Sequence, residues 1–357
     1  MKDPGIDPAL EAIAQQLPAW AAELGFDRIG VTDTDLEDYA PHFRRWLEAG
    51  NHGTMDWMVR HADLRLDPRA LVPGTLRILS ARMPYPGAGA DALATLREGD
   101  RAYISRYALG RDYHRVLRQR LARLARRIDT AARDLGGQYR AFTDSAPVLE
   151  KPLGEKAGLG WIGKHTLLID RAAGSWFFLG EIYTNLPLPL TPATPEDHCG
   201  NCRACMTVCP TGAIIGPRQL DARRCIAYLT IEHDGAIPEP LRPLIGNRVF
   251  GCDDCQIHCP WNRFAQRPTL PDFAPRHNLD RADLRTLFAW TEAEYLARTE
   301  GSALRRAGYE RWRRNLAVAL GNGPRDLRTI ELLRSCRPSS TPLVQTHIDW
   351  ALARLGA

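Results

Sequence analysis

The chain has 357 residues, of which 44% are hydrophobic and 25% charged, and its formal net charge is +5. This length exceeds what one small core needs and predicts two or three domains. No apolar run reaches the roughly 18 residues of a membrane-spanning helix, and the amino-terminal segment lacks the pattern of an export signal. We therefore expect no membrane partner and a cytoplasmic location, where cysteines stay reduced.

The first 185 residues alternate helical and strand patterns, which predicts an α/β domain. Residues 24–31 form the end of a helix followed by a strand, and a second strand is predicted at 76–83. Residues 112–135 have the apolar stripe of an amphipathic helix, with arginines on the opposite face. Two further strands are predicted at 166–170 and 176–184.

A proline-rich stretch at 186–197 separates this domain from a cysteine-rich segment. From residue 280 onward the pattern is helical, with helices predicted at 283–290, 292–299, 304–320, 326–335 and 346–355. Short helices with short breaks indicate stacked helical hairpins, although no clean repeat period is present. The predicted domains are therefore 1–190, 191–270 and 271–357.

Eight of the nine cysteines fall in two runs with the spacing of bacterial two-cluster ferredoxins. The first run precedes a proline and consists of Cys199, Cys202, Cys205 and Cys209. The second run is split, also precedes a proline, and consists of Cys225, Cys252, Cys255 and Cys259. In such proteins the last cysteine of each run binds the cluster of the other run. The predicted ligand sets for two 4Fe–4S clusters are Cys199, Cys202, Cys205, Cys259 and Cys209, Cys225, Cys252, Cys255.

Structural zinc is the alternative, because zinc sites also use cysteines that are two residues apart. The comb of three cysteines followed by a Cys-Pro pair favours cubane clusters. The ninth cysteine, Cys336, is predicted to be a small buried hydrophobe. Two tandem clusters indicate one-electron transfer and do not identify what is reduced.

Two further patterns resemble known binding motifs but lack a feature that each motif requires. Gly158, Gly160 and Gly163 match the dinucleotide-binding fingerprint, but that motif needs a strand before it and a helix after it. Here a helical pattern precedes and a strand pattern follows, so we expect these glycines to let the backbone approach a flat or bulky ligand. Asp112 and His114 resemble the start of a cobalamin-binding Asp-x-His-x-x-Gly motif, but Leu117 replaces its glycine.

Several segments together resemble the epoxyqueuosine reductase family. They are HGTMDWM at 52–58, SRYALGRDYH at 105–114, DSAPVLE at 144–150, KAGLGWIGK at 156–164, YLTIE at 228–232, GCDDCQ at 251–256 and GSALRR at 301–306. The resemblance implies an oxidoreductase that reduces epoxyqueuosine to queuosine at the wobble position of tRNA. It also implies a nitroreductase-like, cobalamin-binding α/β domain, a two-cluster ferredoxin-like domain, and a carboxy-terminal helical HEAT-like domain that contacts tRNA.

The same resemblance implies a cobalamin cofactor and assigns Asp144 as the acid that protonates the epoxide oxygen. This role requires that burial keep the carboxyl protonated near neutral pH. Without the resemblance, Asp144 would be interpreted as a turn or cap residue. The second cysteine set is expected to face the cofactor. The expected cobalamin contacts are Arg60, Lys164, His165, Ala227, Cys252, Asp253, Asp254 and Cys255.

Five arginines fall within ten residues of the carboxy-terminal region: Arg305, Arg306, Arg311, Arg313 and Arg314. Such a cluster on one helix face binds nucleic-acid phosphates, whereas a solvated helix face is the alternative. With tRNA implied, we predict phosphate contacts, together with an unidentified electron donor and a monomeric protein. The alternative functions are a reductive dehalogenase-like cobalamin enzyme and a non-catalytic electron-carrier subunit.

Overall fold

A computed structural model describes residues 7–85, 89–192, 196–265 and 270–357. The predicted domain boundaries at 190/191 and 270/271 lie close to residues that the structure does not describe. Residues 193–195 of the proline-rich stretch are among those not described. Within the described ranges, the helices are too short or too polar to cross a membrane.

The amino-terminal half is a mixed α/β unit, as the sequence predicts. Its elements are α1 (Pro8–Glu23), β1 (Arg28–Thr32), α2 (Ala40–Glu48), α3 (Asp56–Arg60), α4 (Ala62–Leu66), α5 (Pro68–Leu71), β2 (Arg77–Pro84), α6 (Ala92–Arg97), β3 (Tyr103–Ile104), α7 (Tyr113–Ala131), β4 (Tyr139–Phe142), α8 (Glu150–Lys156), β5 (Trp161–Ile162), β6 (Leu168–Ile169) and β7 (Phe177–Thr184). Short 3₁₀ turns lie at Arg106–Ala108 and Arg133–Leu135.

The main sheet has four antiparallel strands in the order β1-β2-β7-β4. The two central strands pair from Arg77 opposite Thr184 to Pro84 opposite Phe177. All of β2 except its first residue is buried, because elements cover both faces of the sheet. The strands predicted near 24–31, 76–83 and 176–184 are confirmed. The strand predicted at 166–170 is shorter and pairs with β5 outside the main sheet.

The predicted amphipathic helix is α7, which ends at Ala131 and continues as a 3₁₀ turn to Leu135. Its apolar stripe lies in the same core as α1, and Leu117, Leu121 and Leu124 have no exposed surface. Asp112 caps the helix by accepting a hydrogen bond from the His114 amide. The first turn of α7 is therefore held at a defined place on the edge of the core.

The glycine-rich segment lies between α8 and β5, so the order is helix, turn, strand, and the rejection of a dinucleotide site is confirmed. Gly160 has φ 148°, and a Cβ there would stand 2.0 Å from the Ile169 carbonyl oxygen. The close approach is therefore to the neighbouring strand β6, which corrects our expectation of a ligand at this position.

The cysteine-rich segment is built of short elements: α9 (Ala204–Val208), β8 (Ile214–Gly216), β9 (Gln219–Leu220), α10 (Ile226–Ile231), α11 (Arg242–Ile245), β10 (Arg248–Phe250) and α12 (Asp254–Ile257), with 3₁₀ turns at Ala222–Arg224, Glu239–Leu241 and Pro260–Phe264. One of its strands, β10, pairs in parallel with β3 of the amino-terminal half. The cysteine-rich segment is thereby attached directly to the α/β unit.

The carboxy-terminal part is helical, as predicted: α13 (Leu284–Phe288), α14 (Glu292–Arg298), α15 (Gly308–Asn322), α16 (Leu327–Cys336) and α17 (Pro342–Arg354), with 3₁₀ turns at Pro271–Phe273 and Ala303–Ala307. The single helix predicted at 304–320 is wrong, because Gly308 has φ 71° and separates a 3₁₀ turn from α15. Cys336 is only half-buried against this helical core.

Arg314 of α15 has 0% exposure and joins the helical part to the cysteine-rich segment. Its guanidinium donates hydrogen bonds to the carbonyls of Leu229 (2.6 Å), His233 (2.7 Å) and Gly235 (2.7 Å). Burial lowers its pKa to about 10, so the side chain remains charged near neutral pH. The prediction that Arg314 contacts tRNA phosphate is corrected, because the side chain is enclosed and its donors are occupied.

Replacing Arg314 should destabilise the fold. Arg314→Leu leaves three backbone carbonyls without their donor, and we expect a loss of about 3 kcal/mol or more in the free energy of unfolding. Denaturant unfolding followed by circular dichroism measures it. Arg334→Leu on the exposed face of α16 is the matched control, and equal stability of the two variants would contradict this account.

Candidate functional site

Two cavities meet at Asp144, between the sheet, the cysteine-rich segment and the helical part. One has a volume of about 380 Å³ and faces the cysteines. The other, of about 810 Å³, is bordered by α3, the start of α8 and the 3₁₀ turn before α15. The residues that line both cavities are Tyr107, Tyr113, Asp144, Glu150, Lys151 and Ile231.

The cysteines divide between two places. The wall of the 380 Å³ cavity contains Cys209, Cys225, Cys252 and Cys255. A third cavity, of about 220 Å³, is lined by Cys199, Cys202, Cys205 and Cys259. The structure therefore groups the cysteines as the ligand-crossing rule does, and the second set is the one that faces Asp144. Contact between α9 and α12 brings the two runs together.

Within the described ranges, no three His, Cys, Asp or Glu side chains are close enough to hold one metal ion. A tetrahedral zinc site needs its ligands around a single ion, whereas a cubane separates its four thiolates onto four irons. The spacing of the two cysteine runs, and not this absence, is what favours cubane clusters over zinc.

The two acidic residues between Cys252 and Cys255 are buried and hold the local backbone. Asp253 accepts hydrogen bonds from the Tyr103 hydroxyl and the Arg106 amide, both at 2.8 Å. Asp254 pairs with Arg248, with contacts at 2.7 and 2.5 Å. Both acids also line the 380 Å³ cavity. This bonding fixes the loop that presents the second cysteine set.

The structure brings only some of the expected cobalamin contacts to this cavity. His165 and Ala227 are in its wall. Burial lowers the pKa of His165 to about 4, so its ring is neutral. Lys164 instead lies at the 220 Å³ cavity and donates to the carbonyls of Gly200 (2.5 Å) and Cys202 (2.9 Å). Arg60 is exposed at the end of α3 and lines neither cavity at Asp144.

Asp144 follows β4 in a left-handed backbone conformation, with φ 50°. Its amide donates to Glu150 Oε1 at 2.5 Å. Its Oδ2 atom accepts from the Tyr113 hydroxyl and lies 3.1 Å from His114 Nε2. The other ring nitrogen, Nδ1, lies 2.7 Å from Asp112 Oδ1. The first turn of α7 therefore holds the carboxyl that the family resemblance singles out.

The charge state of Asp144 differs from our expectation. Burial raises its pKa, but the hydrogen bonds from His114 and Tyr113 and the charges of His114 and Lys151 outweigh that effect, so the pKa lies below its usual range. The side chain is 54% exposed because it faces the two cavities. Asp144 is therefore ionised at neutral pH, which corrects the expectation that burial keeps it protonated.

The neighbours of Asp144 were not among the predicted site residues. Burial alone would lower the pKa of His114, but the hydrogen bonds and charges of Asp112 and Asp144 raise it to about 9. Burial and the charge of Asp144 raise the pKa of Glu150 to about 8. Tyr113, His114 and Glu150 all lie in the quoted family segments, but spacing alone does not show that they converge.

The predicted arginine cluster does not form one face. Arg306 is exposed, lies over the Trp57 ring at 5.3 Å, pairs with Glu232 at 2.7 Å and lines the 810 Å³ cavity. Arg305 is exposed and bonds to a backbone carbonyl. Arg311 donates to the Ile231 carbonyl at 3.0 Å and to Asp234 at 2.8 Å. Arg313 packs over the Phe288 ring at 4.1 Å.

Two family models match the chain. One is described as a 4Fe-4S double cluster binding domain and matches residues 198–262. The other, described as "Epoxyqueuosine reductase QueG, DUF1730", matches residues 65–145. Among curated relatives, the epoxyqueuosine reductase of Pseudomonas aeruginosa is 56% identical over 350 residues, covering 98% of this chain and 96% of that protein. The Escherichia coli epoxyqueuosine reductase is 54% identical over 345 residues, covering 97% and 90%.

Solved structures are similar as well. A crystal structure of epoxyqueuosine reductase with an epoxyqueuosine-modified tRNA-Tyr stem loop has a TM-score of 0.88 and 27% identity, covering 97% of this chain and 91% of that chain. An epoxyqueuosine reductase structure from Bacillus subtilis, with the catalytic loop of an aspartate swung out of its active site, has a TM-score of 0.87 at the same 27% identity and covers the same 97% and 91%.

The grouping of the cysteines predicts how iron binds. The wild-type protein should bind about eight irons, whereas Cys202→Ala and Cys255→Ala should each lose about four, because each removes a ligand of a different cluster. Iron analysis and electron paramagnetic resonance of the anaerobically reconstituted, reduced protein measure this. Cys336→Ala is the control and should keep all the iron. Stoichiometric zinc without iron would contradict the assignment.

Proposed function

The chain belongs to the epoxyqueuosine reductase family, and on this premise we propose that Asp144 and the cavities that meet at it form its active site. The chain is an oxidoreductase that reduces epoxyqueuosine to queuosine in tRNA. Curated relatives that share more than half of their residues over nearly the full length favour this activity over a dehalogenase or a carrier subunit. The single observation that supports the site is that Asp144 lies between the cysteine-lined cavity and the cavity rimmed by Arg306.

The reaction removes the epoxide oxygen as water and consumes two electrons and two protons. The proposed ligands of the outer 4Fe–4S cluster are Cys199, Cys202, Cys205 and Cys259, and those of the inner cluster are Cys209, Cys225, Cys252 and Cys255. When bound, the clusters supply electrons one at a time, and cobalamin supplies the reducing metal centre next to the substrate. An unidentified one-electron donor would deliver these electrons to the outer cluster.

The walls of the 380 Å³ cavity fit a large, flat cofactor. Several apolar side chains line it, among them Leu168, Phe177 and Ile226. Two buried polar atoms of its lining residues, Ser105 Oγ and His165 Nε2, have no hydrogen-bond partner among the residues that the structure describes. We propose that cobalamin is held here by His165, Ala227 and the 252–255 loop. This proposal gives the amino-terminal unit the role of a nitroreductase-like cobalamin-binding domain.

Asp144 is the proposed proton donor to the epoxide oxygen. Its carboxyl faces both cavities. It can therefore reach a base that enters through the 810 Å³ cavity and a cofactor held in the 380 Å³ cavity. The hydrogen bonds from Tyr113 and His114 restrict its orientation. The aspartate catalytic loop of the Bacillus subtilis relative supports an aspartate in this role.

Substituting Asp144 should stop turnover and leave binding intact. In Asp144→Asn the side chain keeps its size but no longer transfers a proton, and we expect a fall of about 100-fold or more in the single-turnover rate. Mass spectrometry of nucleosides from an epoxyqueuosine-containing stem loop measures conversion to queuosine. The iron content and the stem-loop affinity should stay at the wild-type level.

Asp129→Asn, on the exposed side of α7, is the matched control for this substitution. It removes a carboxylate of the same size from the surface and should convert the stem loop at the wild-type rate. Near-normal conversion by Asp144→Asn would show that Asp144 is not the proton donor.

We propose that tRNA approaches the 810 Å³ cavity and that Arg305 and Arg306 contact its backbone. Both side chains are exposed at the mouth of this cavity or next to it. Arg311 and Arg313 are largely committed to internal contacts and have a supporting role in this arrangement. The helices from residue 271 onward would then act as the HEAT-like tRNA-contacting domain of the family.

Removing Arg306 should weaken tRNA binding through loss of one phosphate contact. We expect Arg306→Ala to bind the stem loop several-fold more weakly and to lower the salt dependence of log K by about 1, because one fewer counterion is released. Fluorescence anisotropy from 50 to 200 mM salt measures both. Arg328→Ala, exposed at the start of α16, is the control. An unchanged salt slope in Arg306→Ala would exclude the contact.

A further inference from the structure

We propose that His114 is the proton store of the active site. It donates a proton to Asp144 and then takes up another proton from solvent. This inference rests on the proposed function, in which Asp144 delivers protons to the epoxide oxygen. It adds a proton-transfer residue that touches Asp144 and explains how an ionised carboxylate acts as an acid.

The geometry around His114 fixes its ring. Asp112 accepts from the backbone amide of His114 at 3.1 Å, and its Oδ1 atom lies 2.7 Å from Nδ1 of the same residue. The amide of Asp112 donates to the Gly301 carbonyl at 2.7 Å, so the capping residue is itself anchored. The Tyr113 ring stacks on the imidazole at a centroid distance of 4.0 Å. With Nδ1 occupied by Asp112, Nε2 is directed at Asp144 Oδ2, 3.1 Å away.

This arrangement places the proton on the histidine when the site is at rest. The carboxylates of Asp112 and Asp144 raise the pKa of His114 to about 9, whereas the hydrogen bonds from His114 and Tyr113 lower that of Asp144. Near pH 7, His114 is therefore an imidazolium and Asp144 a carboxylate. The charged and titratable groups that face this pair come from several elements. They are Asp112, Tyr113 and Arg118 from α7 and its cap, Tyr107 from the 3₁₀ turn at Arg106–Ala108, Glu150 and Lys151 from α8, and His61, Arg65, Glu232 and Arg306 across the 810 Å³ cavity.

The reaction consumes two protons, and His114 delivers both of them in turn. A substrate that fills the cavity displaces water from Asp144, which favours the neutral carboxyl and draws the proton from His114 Nε2. Asp144 then passes that proton to the epoxide oxygen as its first C–O bond breaks, which produces a hydroxyl group. His114 takes up a second proton from solvent and sends it by the same route, so that the second C–O bond breaks, the C=C bond of queuosine forms and water leaves. The two electrons come from the one-electron donor of the proposed function.

Glu150 is the other candidate for the proton store, but two observations favour His114. The His114 side chain is 29% exposed. Glu150 also has a raised pKa, of about 8, but its Oε1 atom accepts from the backbone amide of Asp144 and makes no hydrogen bond to the carboxyl. The direct contact at the carboxyl therefore favours His114 over Glu150 as the store.

The first test measures the titration of His114 without turnover. Exchange of the imidazole C2 proton with deuterium, followed by mass spectrometry of the holoenzyme from pH 5 to 10, gives a midpoint for each histidine. We expect the His114 midpoint near 9 and a fall toward the ordinary value of about 6.5 in Asp112→Asn and Asp144→Asn. A wild-type midpoint at or below 6.5 would overturn the proposal.

The second test measures the proton-transfer step. With pre-reduced holoenzyme and the epoxyqueuosine stem loop, the wild-type single-turnover rate should decline as the pH rises through about 9. His114→Gln should be about 100-fold slower and should lose this alkaline limb. Added imidazole should restore turnover to His114→Ala, which a purely structural role would not allow. The surface substitution His42→Gln is the control.

The outcomes separate the inference from the function on which it rests. If the wild-type enzyme converts no epoxide, the proposed function fails, whereas the C2 exchange result still reports on His114. If wild type and His114→Gln turn over equally at normal iron content and stem-loop affinity, only the inference fails. An alkaline limb that moves in Glu150→Gln and not in His114→Gln would assign the store to Glu150 instead.

Discussion

The contact between the two cysteine runs organises the rest of the molecule. Cys259 comes late in the chain yet lies with the first run, and Cys209 lies with the later cysteines. Neither group of four is complete unless the two runs fold onto each other, and α9 and α12 make that contact. The parallel pairing of β10 with β3 then attaches the segment to the α/β unit. The inner group of cysteines consequently forms one wall of a cavity that ends at Asp144.

The first turn of α7 positions Asp144 on the other side of the cysteine-lined cavity. Asp112 caps α7, and the next two residues, Tyr113 and His114, reach the carboxyl of Asp144. A helix whose apolar face is buried in the main core thus positions a loop carboxylate whose own backbone conformation is left-handed. The cost of that backbone strain is offset by hydrogen bonds at both the amide and the carboxyl. The hydrogen bond between His114 and the carboxyl also lowers the pKa of Asp144 and raises that of His114.

The arginines after residue 300 show why charge in a sequence is an ambiguous signal. Arg306 and Arg314 are eight residues apart, yet one lies at a cavity mouth over Trp57 and the other is enclosed beneath α10. A buried guanidinium that donates to several carbonyls fixes the chain after α10 as firmly as apolar packing would. Sequence spacing alone did not distinguish this structural arginine from a phosphate-binding one, because both occur in the same basic stretch.

The sequence by itself determined the two cysteine sets, the α/β and helical regions, the family, and Asp144 as the residue of interest. Those features are local, since they depend on spacing, periodicity and short motifs. Only the tertiary structure decided the charge state of Asp144, the placement of His114 and Glu150 beside it, the burial of Arg314 and the exclusion of Arg60 and Lys164 from the cavity. These properties depend on neighbours that are distant along the chain. Hydrogen bonds and desolvation act through space, so residue spacing does not reveal them.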